Sequence, residues 1–298
     1  MTTTTLLDWL EPWEFYPTLL VASLLGVCLY AAGARRRRRA GIRTGYWRGF
    51  CFYLGVALIY AVMQTRLDYL AQHMFWIHRA QHLVLHHLAP FILMLAAPYE
   101  VMAWGLPQRF RARVLVPLWR RGGLRHAYRL LQHPLLAPLL FVGLIYLWLI
   151  PGVHFVAMLD LRLYKLMNWS MVLDGLLFWW LVLDPRTRAQ GASLGYGMRV
   201  LLLFAVMLPQ MLLGAYICFV HHDLYSVYAV CGRIWPIAPV TDQEVGGLIT
   251  WIPSSMMSVL GALVVLHHWM RSGRETASAD GGMVAGGAPP AGVALGGN

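Results

Sequence analysis

Charge is scarce in this chain: Asp, Glu, Lys and Arg make up only 12% of its 298 residues, about half the share usual in soluble domains. With 59% hydrophobic residues and a mean hydropathy of +0.56, that scarcity excludes a soluble globular domain. Acidic residues are the rarer sign, 13 against 24 basic ones. Cysteine is also sparse. Of the four, Cys28 and Cys51 lie in apolar runs, while Cys218 and Cys231 flank one loop and are candidates for a disulfide on an oxidising face. There is no tandem repeat, no phosphate-cradling glycine loop and no nucleophile and base arrangement, which argues against catalysis. A cleavable signal peptide is not expected, because acidic residues precede the first apolar run and an arginine run follows it.

What the chain has instead is seven apolar runs, approximately 14 to 33, 47 to 65, 72 to 97, 135 to 150, 161 to 183, 196 to 220 and 247 to 270. A bilayer core needs about 20 mostly apolar residues per helix, so the expected fold is an all-α bundle of seven transmembrane helices. Assigning alternate loops to opposite faces leaves only Arg66, Arg79, Arg162, Lys165 and Arg233 on one of them; every other basic residue falls on the opposite side. The positive-inside rule then places the N-terminus outside and the C-terminus in the cytoplasm of a bacterial cell, as a multi-pass inner-membrane protein. The basic excess is a topology signal and a contact for anionic membrane lipids, not a nucleic-acid footprint. Residues 1 to 13 read as an outer segment and 14 to 275 as the membrane domain. Within that domain, 99 to 134 form an arginine-rich interfacial segment broken at Pro117 and at Gly122 and Gly123, and 221 to 246 a structured outer loop. The Gly, Ala and Pro-rich tail, 276 to 298, is expected to be disordered.

Histidine carries the chemistry. His78, His82 and His86 are spaced four apart, which stacks them on one helix face at about 6 Å per step. His73 lies near the outer end of the same run, and His87 is turned about 100° from His86. An imidazole buried in a membrane is costly unless paired, so such a column points to a site. Asp174 and Gln210 fall at comparable depth as a proton acceptor or supporting partner, with Arg79 a candidate counter-charge for Asp174. His154, His221 and His222 cluster on the outer side, His126, His133, His267 and His268 lie at the basic ends, and Met63, Met74, Met256 and Met257 add thioethers. Imidazole with thioether suits copper, whereas zinc usually wants a carboxylate or thiolate as well. Three readings follow: a copper handler using His78, His82, His86, His154, His221 and His222; a haem-binding electron carrier or oxidoreductase; and a metal-free scaffold whose histidines bridge helices.

The run from His78, Arg79, Ala80, Gln81 and His82 through Ala89, Pro90, Ala97 and Pro98 resembles the Bacillus-type CtaG family of cytochrome c oxidase assembly factors. So do Phe178, Trp179 and Trp180 ending at Pro185, and the stretch Asp242, Gln243, Gly246, Gly247, Trp251 and Pro253. The resemblance covers about residues 70 to 270. It implies a seven-span, non-catalytic factor that matures a haem-copper oxidase through its copper, with an oxidase subunit or another copper chaperone as partner. His78 and His82 match the family's motif histidines, and His154 matches one that follows the fourth span. Arg79 stands in place of the motif methionine, Phe91 of a proline and Ala96 of a glycine, while Asn168 and Trp169 occupy positions where many relatives have a histidine.

Overall fold

The computed structural model describes residues 14 to 285 apart from Ala189, with side chains through Arg274. The expected outer segment 1 to 13 and the tail beyond 285 lie outside the described residues. Every regular element among the described residues is a helix. In chain order these are α1 (Pro17–Arg39), α2 (Tyr46–Gln64), α3 (Arg66–His73), α4 (Phe75–Leu83), a π turn (Val84–Leu88), α5 (Ala89–Leu95) and α6 (Pro98–Gly105). A helical run over 108 to 120 leads to α7 (Gly123–Leu131), α8 (Leu136–Leu149), α9 (Pro151–Leu159), α10 (Leu161–Leu183), α11 (Tyr196–Phe219), α12 (Val227–Cys231) and α13 (Pro239–Ala285). Five helices are long and apolar enough to cross a membrane, or seven if two bent pairs each count as one span. The pairs are 75 to 95 with α6, bent by 69°, and α7 with α8, bent by 71°. The last helix continues to Ala285, ten residues into the tail expected to be disordered, because a helix already formed extends at little cost into residues such as Ala277 and Ala279.

Large apolar side chains cover much of the surface, and polar ones sit inside an otherwise apolar core. Val21, Leu24, Leu25, Leu201, Phe204, Leu208, Leu212, Val259 and Leu263 face outward, while Asp68, His78, Arg79, Gln81, His82, His86, His87, Asn168, Asp174 and Gln210 are buried. In lipid, polar side chains can satisfy one another only inside the bundle. The charges divide by end. At one end Arg37 and Arg48 meet Glu100, Arg36 caps the carbonyls of Trp104 and Leu106, and Arg186 pairs with Asp184. At the other, Gln64 binds the carbonyl of Glu14, Lys165 lies over the Tyr16 ring, and Arg233 reaches Asp223 and Asp242.

The third apolar run is not the single helix its length suggests. It breaks at Met74, whose backbone is extended, opens into the π turn at Val84–Leu88, and ends at Ala97, which takes a left-handed conformation ahead of Pro98. Pro90 explains the π turn. Proline lacks an N–H and its ring presses on the carbonyl four residues back, that of His86, so the chain widens there instead of breaking. The second π turn, Arg111–Leu115, likewise precedes Pro117. The segment expected to break at Pro117 therefore passes through it and breaks at Gly122, where φ is +83°.

The stretch Asp242 to Trp251 assembles the end of the bundle opposite the arginine-rich one. Asp242 accepts from the N–H groups of Phe75 (3.2 Å) and Trp76 (2.9 Å), capping α4 from 167 residues away. Gln243 accepts from Leu224 N and donates to the carbonyls of Ile217 and Val220, closing the end of α11. A Cβ on Gly246 would stand 2.4 Å from the Phe75 ring, and one on Gly247 2.7 Å from Cys218 N. Gly246 thus makes room for the Phe75 and Arg79 side chains of α4, and Gly247 lets α13 approach the backbone of α11.

Candidate functional site

The buried histidines form two pairs on one broken helix. In the outer pair, the rings of His78 and His82 lie 4.3 Å apart, and His154 of α9 stands edge-on to His78 at 5.1 Å. His82 Nε2 pairs with the Asn168 side-chain carbonyl at 3.1 Å, which assigns the proton to Nε2 and leaves Nδ1 as a free lone pair. His78 is fully buried, and neither of its ring nitrogens has a partner. His154 is fully engaged: Nδ1 donates to Trp148 O (2.9 Å), so Nε2 accepts from Tyr228 OH (3.0 Å).

Above this pair lies a network centred on Asp68 in α3, whose carboxylate accepts from Gln72 (3.0 Å), Gln81 (2.7 Å) and Tyr164 (2.8 Å). Burial pushes the Asp68 carboxyl up to about 6, against the pull of those three hydrogen bonds. His73 ends α3, and its Nδ1 pairs with its own Tyr69 carbonyl, apart from the column.

In the inner pair, His86 Nε2 meets Asp174 Oδ2 at 3.0 Å and His87 Nε2 meets Gln210 Oε1 at 2.9 Å. Gln210 also donates to the Val206 carbonyl, which fixes its amide orientation. The carbonyl of His86, which Pro90 cannot bond, accepts from Trp179 Nε1 at 3.2 Å. A Cβ on Gly175 would lie 2.5 Å from that same carbonyl, so α10 passes against the π turn.

His87 does face a different helix from His86, as its offset implied, and there it meets Gln210. Three expectations need correction. Asp174 is paired with His86, not Arg79; Arg79 is buried and donates from Nε to Thr250 at 2.9 Å. His221 and His222 do not join the column but are exposed in the outer loop. The reason is that the loop turns inward through Tyr225 and Tyr228, and these tyrosines face His154. Cys218 and Cys231 are free thiols. Of the methionines, Met63 and Met74 are fully buried, Met257 is buried and Met256 exposed.

Sequence reading missed Asp68, Tyr164 and Tyr228. Their signal was a polar side chain or phenol at the end of an apolar run, which by itself says nothing about which helix it will meet. As a test of fit to a metal, both ring nitrogens of His78 and Nδ1 of His82, His86 and His87 are buried without a hydrogen-bond partner. Among the described residues, however, no group of three or more His, Cys, Asp or Glu side chains is arranged to hold an ion. Of the six expected histidines, His154 has both nitrogens engaged and His221 and His222 are exposed, while His78, His82 and His86 each keep an unpartnered nitrogen.

Fold and site together define a multi-pass helical membrane protein with a polar, histidine-lined interior. The family described as cytochrome c oxidase caa3 assembly factor (Caa3_CtaG) matches residues 28 to 272, and the chain belongs to that family. It is also 25% identical over 279 residues to an uncharacterized protein of Mycobacterium bovis, and 26% identical over 277 residues to one of Mycobacterium leprae. Those alignments cover 90% and 89% of this chain but 41% and 40% of the relatives. The chain thus spans about two fifths of the length of the curated relatives it matches. No solved structure matches it significantly.

Proposed function

We propose that this protein assists assembly of a haem-copper oxidase by holding a copper ion, as cargo, between His78 and His82. The observation that carries the reading is His78, an imidazole sealed inside the bundle with both nitrogens unpartnered, beside a second imidazole with a free lone pair. A buried polar group without a partner costs free energy, and a bound ion recovers it. Two neutral imidazoles suit monovalent copper, a soft ion content with few donors. Asn168 orients His82 through its other nitrogen, as outer-shell partners of ligating histidines do. His154, held by Trp148 and Tyr228, packs against His78 and fixes its ring.

The proposed topology is seven spans with the arginine-rich end in the cytoplasm. This places His78 and His82 towards the outer face, in the half of the membrane below the Asp68 network. The separation of arginines and acids between the two ends of the bundle supports that orientation. The partner would be an oxidase subunit or another copper chaperone, and the role is non-catalytic. The test is metal analysis of the purified full chain after loading with copper(I): wild type retains stoichiometric copper, and His82→Ala retains none. Undiminished copper in both His78→Ala and His82→Ala would overturn the reading.

A further inference from the structure

The arginine-rich end carries a cavity of about 320 Å³ lined by Arg36, Ala103, Trp104, Leu106, Gln108 and Arg111. It sits where the end of α1 meets the end of α6 and the start of the 108 to 120 run. No acidic residue lines it. The nearest carboxylate in this region, Glu100, is committed to Arg37 and Arg48. Arg36 uses Nη1 on the carbonyls of Trp104 and Leu106, which fixes its guanidinium while leaving the rest of the fork unspent. Arg111 makes no ion pair or side-chain hydrogen bond among the described residues. Trp104 is 42% exposed, and with Ala103 and Leu106 it supplies an apolar wall beside the two cations.

We infer that this cavity is a binding site for the phosphodiester headgroup of an anionic membrane phospholipid, its phosphate held by Arg36 and Arg111 and its glycerol backbone against Trp104. An unpaired guanidinium pair fits a phosphate through charge-assisted hydrogen bonds. An indole at the membrane boundary fits the junction between headgroup and acyl chain. The charge of the lining selects an anionic over a zwitterionic lipid, and the apolar wall selects a lipid over free phosphate. The exposed apolar side chains that follow in the same segment, Val114, Leu115, Leu118 and Trp119, continue that wall across the membrane surface.

Native mass spectrometry of the full chain, titrated with phosphatidylglycerol or phosphatidylcholine, tests this. Wild type retains phosphatidylglycerol in preference to phosphatidylcholine. Arg111→Gln, which disturbs no internal bond, lowers phosphatidylglycerol occupancy about fivefold, the factor one basic residue contributes near an anionic surface. Arg120→Gln, exposed in the same segment but outside the cavity, leaves occupancy unchanged, and millimolar inorganic phosphate does not displace the lipid. Equal retention of the two lipids, an equal loss in Arg120→Gln, or displacement by inorganic phosphate would overturn the inference.

Discussion

Within the outer histidine pair, and against the inner one, His78 stands apart in what its ring nitrogens touch. His82, His86 and His87 are bridges: each spends Nε2 on a polar residue of another helix, Asn168 or Asp174 of α10 or Gln210 of α11, and leaves Nδ1 without a partner. His78 makes no hydrogen bond from its side chain at all, although it is equally buried. Packing accounts for a histidine that bridges but gives no reason to retain one that does not. The difference separates imidazoles that stabilise the bundle through hydrogen bonds from one that makes none. It also corrects the simplest view of the column, in which equal spacing implied equal roles.

The largest expected effect sets His78 directly against a bridging histidine. His78→Phe should abolish retained copper while leaving thermal stability unchanged or raised, since no hydrogen bond is lost and an unsatisfied group is removed. His87→Phe should keep its copper but lose about 1 to 3 kcal/mol, because the side-chain oxygen of Gln210 is left buried without a donor. Copper content and melting midpoint of the two variants in the same detergent check this, and the reverse pattern would dissolve the distinction.

A second large effect lies in Asp242, which aligns the outer pair from a distance. Asp242→Ala strands the N–H groups of Phe75 and Trp76 and leaves Arg233 with Asp223 alone, so a loss of about 3 kcal/mol is expected. Copper retention should fall along with the melting midpoint, while Asp242→Asn recovers part of both.

The Asp68 network offers a pH test. The folded carboxyl is pushed up to about 6, above the ordinary carboxylate value of 3.8. The folded state therefore favours the protonated form: stability from this residue is fully present below pH 4 and is lost as pH rises towards 6, by at most about 2 to 3 kcal/mol. Asp68→Asn should gain relative to wild type across that window, measured as the difference in melting midpoints between pH 4 and pH 7. A constant difference would show that Asp68 does not titrate in this way. The smallest effect is expected from Gly246→Ala, where the added methyl meets the Phe75 ring and costs about 1 to 2 kcal/mol by overpacking. Thermal melts check the loss, and unchanged copper retention would show that the outer pair tolerates a small shift of α4.

Much of this molecule was legible in its residues. The apolar runs predicted α2, α8, α10 and α11 to within one position, because twenty apolar residues in sequence have few alternatives to a membrane span, whereas α1 and α13 run on past theirs. The motif histidines His78 and His82 stood out for the same reason: an imidazole in such a run needs explaining. The broken third run was not legible. Pro90 signals a disturbance, but only a neighbour able to take the freed His86 carbonyl, here Trp179, allows a π turn in place of a kink. The exposure of His221 and His222 was hidden too, since it depends on Tyr225 and Tyr228 occupying the inner side of their loop.

Composition, hydropathy and charge asymmetry by themselves determined that the chain is a multi-pass helical membrane protein with a basic end, because those properties are summed over many residues and tolerate local error. Partner choice was decided only by the tertiary structure. Whether a buried imidazole meets Asp174, Gln210, Asn168 or nothing depends on helix register and contacts between residues about 90 to 120 positions apart, and hydrogen bonds form or fail over less than 1 Å. The sequence marked the histidines as unusual; the fold left His78 unpaired.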